Sequence, residues 1–161
     1  VFAAALLFFV GFHLVFHIMR KEFDIFPKKG DFSKSIAVIK AMLYKTEEPP
    51  SEKYLPEQRL AYAGIAFVLL LLVVSGAVKT YKNLAGENLG ENMIFWAAQI
   101  HNLGMILIIF AIIVHLAAFI FKANRPLLSG MFSGKVSAKY ILHRHKLWSA
   151  GIESAKKACK K

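Results

Sequence analysis

Two histidines, His101 and His115, lie fourteen residues apart in a run without charged residues from Asn92 to Phe121. The run is long enough to cross a bilayer as one helix. Fourteen residues make almost four helical turns, so the two rings leave nearly the same face, about 40° apart and ~21 Å apart along the axis. Histidine is a common axial ligand of haem iron, and ionisable residues inside a membrane are mostly functional. The spacing therefore predicts a helix that holds two haems, one toward each side of the membrane.

Small residues lie on the same face of this predicted helix. Gly104, Ala111 and Ala118 follow the two histidines at helical spacing. They would leave room for a flat macrocycle beside the rings. The alternative interpretation is that the small residues only allow neighbouring helices to pack closely.

The composition indicates a membrane protein. The chain has 161 residues, of which 57% are hydrophobic, and three segments of membrane-spanning length carry no charge. These segments are Val1–Met19, Leu60–Val78 and Asn92–Phe121. They predict an all-α membrane protein, a transmembrane helix bundle with three helices visible. The sequence begins without a methionine and inside an apolar run, so we expect the first helix to continue upstream of Val1.

The charges predict which side each loop faces. Nine Lys/Arg lie between Arg20 and Arg59 and ten lie from Lys122 onward, whereas the Lys79–Glu91 loop has two. The positive-inside rule then places the first loop and the tail in the cytoplasm. We predict a membrane bundle over residues 1–121 with a cytoplasmic loop at 20–59, followed by a basic cytoplasmic tail at 122–161. The tail lacks a nucleic-acid recognition motif, so anionic membrane lipid or a partner subunit is its expected contact.

The loops contain signals for shorter elements. Asp31 or Ser33 is expected to cap a short helix from about Lys34 to Tyr44, lying on the membrane surface or docked on a partner. The proline-rich stretch Thr46–Pro56 reads as a linker, and the second membrane helix is expected to start within Pro56–Arg59.

A bis-histidine haem needs a second ligand from another helix. His13 matches His115 in depth and is the candidate within this chain, although His13 and His17 also suit a position at the membrane interface. No histidine is suitably placed to pair with His101, so we expect its partner upstream of Val1. In the tail, His143 and His145 would form a weak metal site or a surface contact.

A group of polar residues marks the point where the first loop meets the cytoplasmic headgroups. Tyr54, Glu57, Gln58 and Arg59 lie near the expected depth of the His115 haem. Such groups can hydrogen-bond a quinone carbonyl and pass protons from the cytoplasm. The alternative is an ordinary helix cap with an interfacial arginine.

Other chemistry is poorly represented in the sequence. There is no Gly-rich phosphate loop, no Ser–His–Asp arrangement and no pair of catalytic carboxylates. Cys159 is the single cysteine, so this chain alone cannot ligate an iron–sulfur cluster. A role in catalysis would therefore depend on a bound cofactor or on electron transfer.

Several ordered strings resemble the cytochrome b (gamma) subunit of membrane-bound formate dehydrogenase. They are His101-Asn-Leu-Gly-Met-Ile, Val114-His115-Leu, Gly130-Met131 with Gly134-Lys135-Val136-Ser137, and the His-rich segment before Trp148. The resemblance covers essentially the whole chain. It implies four transmembrane helices in the complete subunit and two haem b groups.

The resemblance also assigns residues. It implies that His101 ligates the haem nearer the periplasm and His115 the haem nearer the cytoplasm, with partner ligands upstream of Val1, which argues against His13. The family's menaquinone site uses the loop that Gln58 matches. Leu55, Pro56 and Glu57 replace the small and amide residues expected just before it.

The implied role is that of a quinone-reducing electron-transfer subunit in the bacterial or archaeal cytoplasmic (inner) membrane. Its partners would be an iron–sulfur subunit and a molybdenum- or tungsten-containing catalytic subunit, which would hold the formate-oxidising site. The histidine spacing is shared with cytochrome b anchors of hydrogenases and other molybdenum oxidoreductases, so the same role there is the alternative. A histidine-based ion transporter is a third hypothesis, disfavoured because the apolar segments contain no Asp or Glu.

Overall fold

The computed structural model describes residues 2–85 and 89–159, and every element in these ranges is helical. Three of the helices are long and apolar enough to cross a membrane, which confirms the predicted all-α membrane fold. The elements are α1 (Phe2–Arg20), α2 (Asp31–Tyr44), α3 (Pro56–Ala85), α4 (Glu91–Ala117), a 3-10 turn (Ala118–Ile120), α5 (Arg125–Ser133), α6 (Ala138–Arg144) and α7 (Ser149–Cys159).

The ends of the long helices follow the sequence signals at most positions. α1 ends at Arg20, and α3 begins at Pro56, whose fixed φ and missing N–H suit the first turn of a helix. The far end of α3 differs from the prediction, because the helix continues through Lys79 to Ala85. Residues 86–88 of the predicted Lys79–Glu91 loop lie outside the described residues.

The helices belong to two compact units. The first unit comprises Val1–Phe23 and Gly64–Ala111, and the second comprises Asp24–Ala63 and Ile112–Lys161. α3 and α4 therefore contribute to both units. The sequence predicts a different division, between a membrane bundle at residues 1–121 and a cytoplasmic tail at residues 122–161. That division follows the expected edge of the membrane, and it stays a prediction.

In the first unit, α3 and α4 approach closely through small residues. Gly104 of α4 is buried, and a Cβ atom added there would lie 3.0 Å from the Leu72 side chain of α3. At this position the helix-packing interpretation of the small residues is the one that the structure supports. Ala97 of α4 and Ser75 of α3 are buried as well.

The second unit contains a buried ion pair between α2 and α3. Arg59 donates from Nε to Asp31 Oδ2 at 2.8 Å and from Nη2 to Asp31 Oδ1 at 2.9 Å. The side chains of Arg59 and Asp31 are only 4% and 1% exposed. Hydrogen bonds from Arg59 hold the pKa of Asp31 below its usual value. This pair fastens the short helix α2 to the start of the second membrane helix.

The predicted capping of α2 by Asp31 or Ser33 is wrong. The helix begins earlier, at Asp31, and Gly30 occupies the cap position without a side-chain hydrogen bond. The Asp31 carboxylate instead accepts from Arg59 and from the Lys28 backbone N–H at 2.7 Å. Gly30 has a φ of +87°, a conformation that favours glycine over residues with a Cβ atom.

The apolar face of α2 points away from the rest of the second unit. Ile36, Ile39 and Leu43 are exposed, whereas Val38 and Ala41 are buried. This arrangement leaves an apolar stripe for the membrane surface or for a partner, the two alternatives that the sequence suggests.

The basic tail is folded and is attached to the first loop. Backbone hydrogen bonds join Ser51 N–H to Arg144 C=O at 3.3 Å and Leu147 N–H to Ser51 C=O at 3.0 Å. His145 is buried, and its Nδ1–H donates to the Glu52 carbonyl oxygen at 2.6 Å. Burial lowers the pKa of His145, which favours its neutral form.

A second buried arginine extends this attachment. Arg144 donates from Nε to Glu48 Oε2 at 2.6 Å and from Nη1 to Asn124 Oδ1 at 2.5 Å. It also donates to the Tyr140 hydroxyl at 3.3 Å. One guanidinium group thus links the first loop, the segment after α4 and α6.

Asp31→Asn should destabilise the second unit by about 3 kcal/mol, because it leaves the buried Arg59 guanidinium without its main counter-charge. The measurement is the free energy of unfolding by denaturant in detergent micelles. Glu47→Gln is the matched control, since it neutralises an exposed carboxylate 3.0 Å from Lys146 and should change nothing measurable. Equal effects of the two variants would contradict the structural role of the Asp31–Arg59 pair.

Candidate functional site

His101 lies on α4 in the first unit and is held by α3. Its Nδ1 is 3.0 Å from the hydroxyl of Ser75, and that hydroxyl lies 2.6 Å from the Leu71 carbonyl oxygen. A Cβ atom added at Gly76 would lie 3.2 Å from Cε1 of His101. Ser75 and Gly76 therefore form a notch in α3 that receives one edge of the imidazole.

His115 lies on α4 in the second unit, where its side chain is exposed. Its ring is 6.1 Å from the ring of Phe119 in an edge-to-face arrangement. A cavity of about 320 Å³ lies against it. The cavity is lined by Gln58, His115, Phe119, Leu127, Gly130, Met131, Gly134 and Val136.

α5 and the turn after it form one wall of this cavity. Gly134 ends α5 with a φ of +67°, and its N–H donates to the Gly130 carbonyl oxygen at 2.8 Å. A Cβ atom at Gly130 would lie 3.0 Å from Val136, so glycine there lets the chain fold back. The sequence shows these glycines as part of a resemblance but does not predict that they line a cavity with His115.

Gln58 and Glu57 are adjacent in sequence but have different surroundings. Gln58 lines the cavity, and its Oε1 accepts from the Leu55 backbone N–H at 3.0 Å. Within the described residues its amide NH₂ group makes no hydrogen bond. Glu57 is not among the cavity-lining residues, and its Oε1 lies 3.6 Å from Arg144 Nη2. The structure thus brings Gln58 and His115 together and directs Glu57 toward Arg144.

Glu57 carries a buried carboxylate. Both of its side-chain oxygens are shielded from solvent and make no hydrogen bond within the described part of the chain. Arg59 belongs to the same predicted polar group as Tyr54, Glu57 and Gln58. It is paired with Asp31, so its role in the structure is to stabilise the fold.

The remaining histidines have other contacts. The rings of His13 and His17 lie 4.5 Å apart on α1, and His17 Nδ1–H donates to the Glu22 carbonyl oxygen at 2.9 Å. His143 is exposed, whereas His145 is buried against the first loop. Among the described residues, no three His, Cys, Asp or Glu side chains are grouped to hold a metal ion.

The described helices define a class, an all-helical membrane protein. A comparison with protein families identifies it more closely: the family described as prokaryotic cytochrome b561 matches residues 2–134, well over half of the chain. The chain belongs to this family, whose members bind haem b and transfer electrons in the membrane. No curated protein matches the chain.

The described residues fit haem b ligation. With Nδ1 bonded to Ser75, His101 retains Nε2, which makes no hydrogen bond in the described part of the chain. His115 presents an exposed imidazole beside a cavity with mainly apolar walls. Both histidines would therefore be able to offer a ring nitrogen to haem iron.

Gly76→Val should lower haem affinity about tenfold or more, because its side chain would push the His101 ring out of the notch. The measurement is the amount of haem b per polypeptide in a pyridine haemochrome assay. Gly64→Val is the matched control on the same helix, where an added Cβ atom meets nothing within 4 Å. Full haem content in Gly76→Val would argue against His101 as a ligand in this ring position.

Proposed function

We propose that the chain is the di-haem cytochrome b subunit of a formate dehydrogenase complex and that it passes electrons to menaquinone. An iron–sulfur subunit would deliver the electrons, and a molybdenum- or tungsten-containing subunit would oxidise formate. Family membership supports the membrane redox role. The ordered motifs that resemble the formate dehydrogenase subunit favour formate as the donor over the hydrogenase alternative.

His101 and His115 are the proposed axial ligands on this chain. Bound haem b supplies single-electron transfer between a donor on one side of the membrane and an acceptor on the other. The two histidines are fourteen residues apart on the one helix α4, so this helix would define both ends of the route. In the proposed orientation the first loop and the tail face the cytoplasm, which puts His115 on the cytoplasmic side.

The observation that carries the quinone proposal is the cavity shared by Gln58 and His115. These two residues are distant in sequence, and the sequence indicates each of them for a separate reason. A volume of about 320 Å³ lies at the lower end of the range for small-molecule sites. Apolar walls with one amide donor suit a quinone head group, which combines a flat apolar ring with carbonyl acceptors.

Protons for quinone reduction would come from the cytoplasmic side. Reduction of a quinone to a quinol consumes two electrons and two protons. Glu57 directly precedes Gln58, and its buried carboxylate lies beside the Arg144–Glu48 pair. We propose that this polar cluster conducts protons toward the cavity.

Gln58→Glu separates the structural role of this residue from its proposed role in binding. The carboxylate still accepts from the Leu55 N–H and so preserves the start of α3, but it has no NH₂ group to donate to a quinone carbonyl. In the purified complex we expect formate to reduce the haems as in the wild type. The rate of haem reoxidation by a menaquinone analogue should fall about tenfold, the effect of one lost hydrogen bond.

The haem content and the extent of reduction by formate serve as internal controls in the same sample. Reoxidation at the wild-type rate would place the quinone somewhere other than this cavity. Absence of haem reduction by formate, with reduction by another donor such as hydrogen, would instead favour the hydrogenase alternative.

A further inference from the structure

We propose that Ser75 is the positioning residue for His101. Its hydroxyl would fix the imidazole in the tautomer whose Nε2 lone pair is directed to iron. The inference rests on the proposed role of His101 as a haem ligand and adds a second residue, on α3, to that site.

The direction of the hydrogen bond follows from the number of hydrogens. Ser75 has one hydroxyl hydrogen, and its Oγ lies 2.6 Å from the Leu71 carbonyl oxygen and 3.3 Å from that of Leu72. Carbonyl oxygens only accept, so the hydroxyl donates to Leu71, as serine commonly does to the residue four positions earlier in a helix. The Ser75 oxygen is then an acceptor toward His101.

The consequence for His101 is a defined tautomer. Because Ser75 accepts, the hydrogen bond of 3.0 Å requires a proton on Nδ1 of the imidazole. A neutral imidazole has a single N–H, so Nε2 carries the lone pair that a metal needs. Ligating histidines characteristically use their second ring nitrogen in this way, with a bonded outer partner that sets the tautomer and the ring orientation.

The surroundings strengthen the hydrogen bond between Ser75 and His101 and keep water from replacing it. Ser75 is only 4% exposed, and Gly76 allows the ring to approach α3 closely. The hydroxyl also donates to a carbonyl group, which strengthens the oxygen as an acceptor. A partly buried site between two membrane helices offers little water to replace Ser75 as a partner.

Ser75 should therefore affect the electron affinity of one haem. Donation from Nδ1–H makes the imidazole more basic and stabilises oxidised iron. Ser75→Ala removes the acceptor, so the midpoint potential of the haem held by His101 should shift upward. The haem held by His115 should keep its potential, because Ser75 makes no contact with His115 among the described residues.

The test is a redox titration of the purified complex monitored in the visible spectrum, with Ser75→Ala, Ser75→Thr and Thr80→Val. Threonine keeps the hydroxyl and should restore the wild-type potential. Thr80 is the matched control, because its hydroxyl bonds to the Gly76 carbonyl oxygen at 2.9 Å on the same helix without a contact to His101. Selective loss of one haem in Ser75→Ala, reversed in Ser75→Thr, supports the proposal equally.

Unchanged potentials and haem content in Ser75→Ala would overturn the positioning role. The same shift in Ser75→Ala and Ser75→Thr would also overturn it, because the effect would then come from packing and not from the hydroxyl. Failure of the underlying function has a different signature: His101→Leu would retain the full haem content of the wild type.

Discussion

The bilayer core provides no water to satisfy a polar group, and the contacts of His101 between α3 and α4 follow from this constraint. Each buried polar group needs a partner from the protein or from a cofactor. His101 meets the requirement at Nδ1 through Ser75 and leaves Nε2 for a ligand. In the second unit, the buried guanidinium groups of Arg59 and Arg144 need partners too, and they are paired with carboxylates of α2 and of the segment that follows it.

The contacts of Arg144 connect the first loop and the tail to the candidate quinone cavity. Arg144 ties α6 to Asn124, which directly precedes α5, and α5 lines the cavity beside His115. The attachment of the tail to the first loop thus supports the cavity wall formed by α5. In this account the basic tail is part of the site and is more than a surface for lipid.

The sequence predicts the features that depend on local composition. Charge-free runs locate the three spans, Pro56 marks the start of α3, and the histidine spacing selects His101 and His115. The sequence does not predict contacts between residues far apart along the chain. Asp31 reads as a helix cap because its pairing with Arg59 depends on a loop that folds back, and the contact of Ser75 with His101 depends on the packing of α3 against α4. The tertiary contact decides the role in each case.

The most direct test of the central claim is the number of haem b groups in the purified full-length complex. A pyridine haemochrome assay, combined with a reduced-minus-oxidised visible spectrum, gives the amount of haem b per copy of this polypeptide. The account predicts two haem b groups per copy, both reducible through the complex. A protein that carries no haem, or a single haem that survives replacement of either His101 or His115, would contradict it.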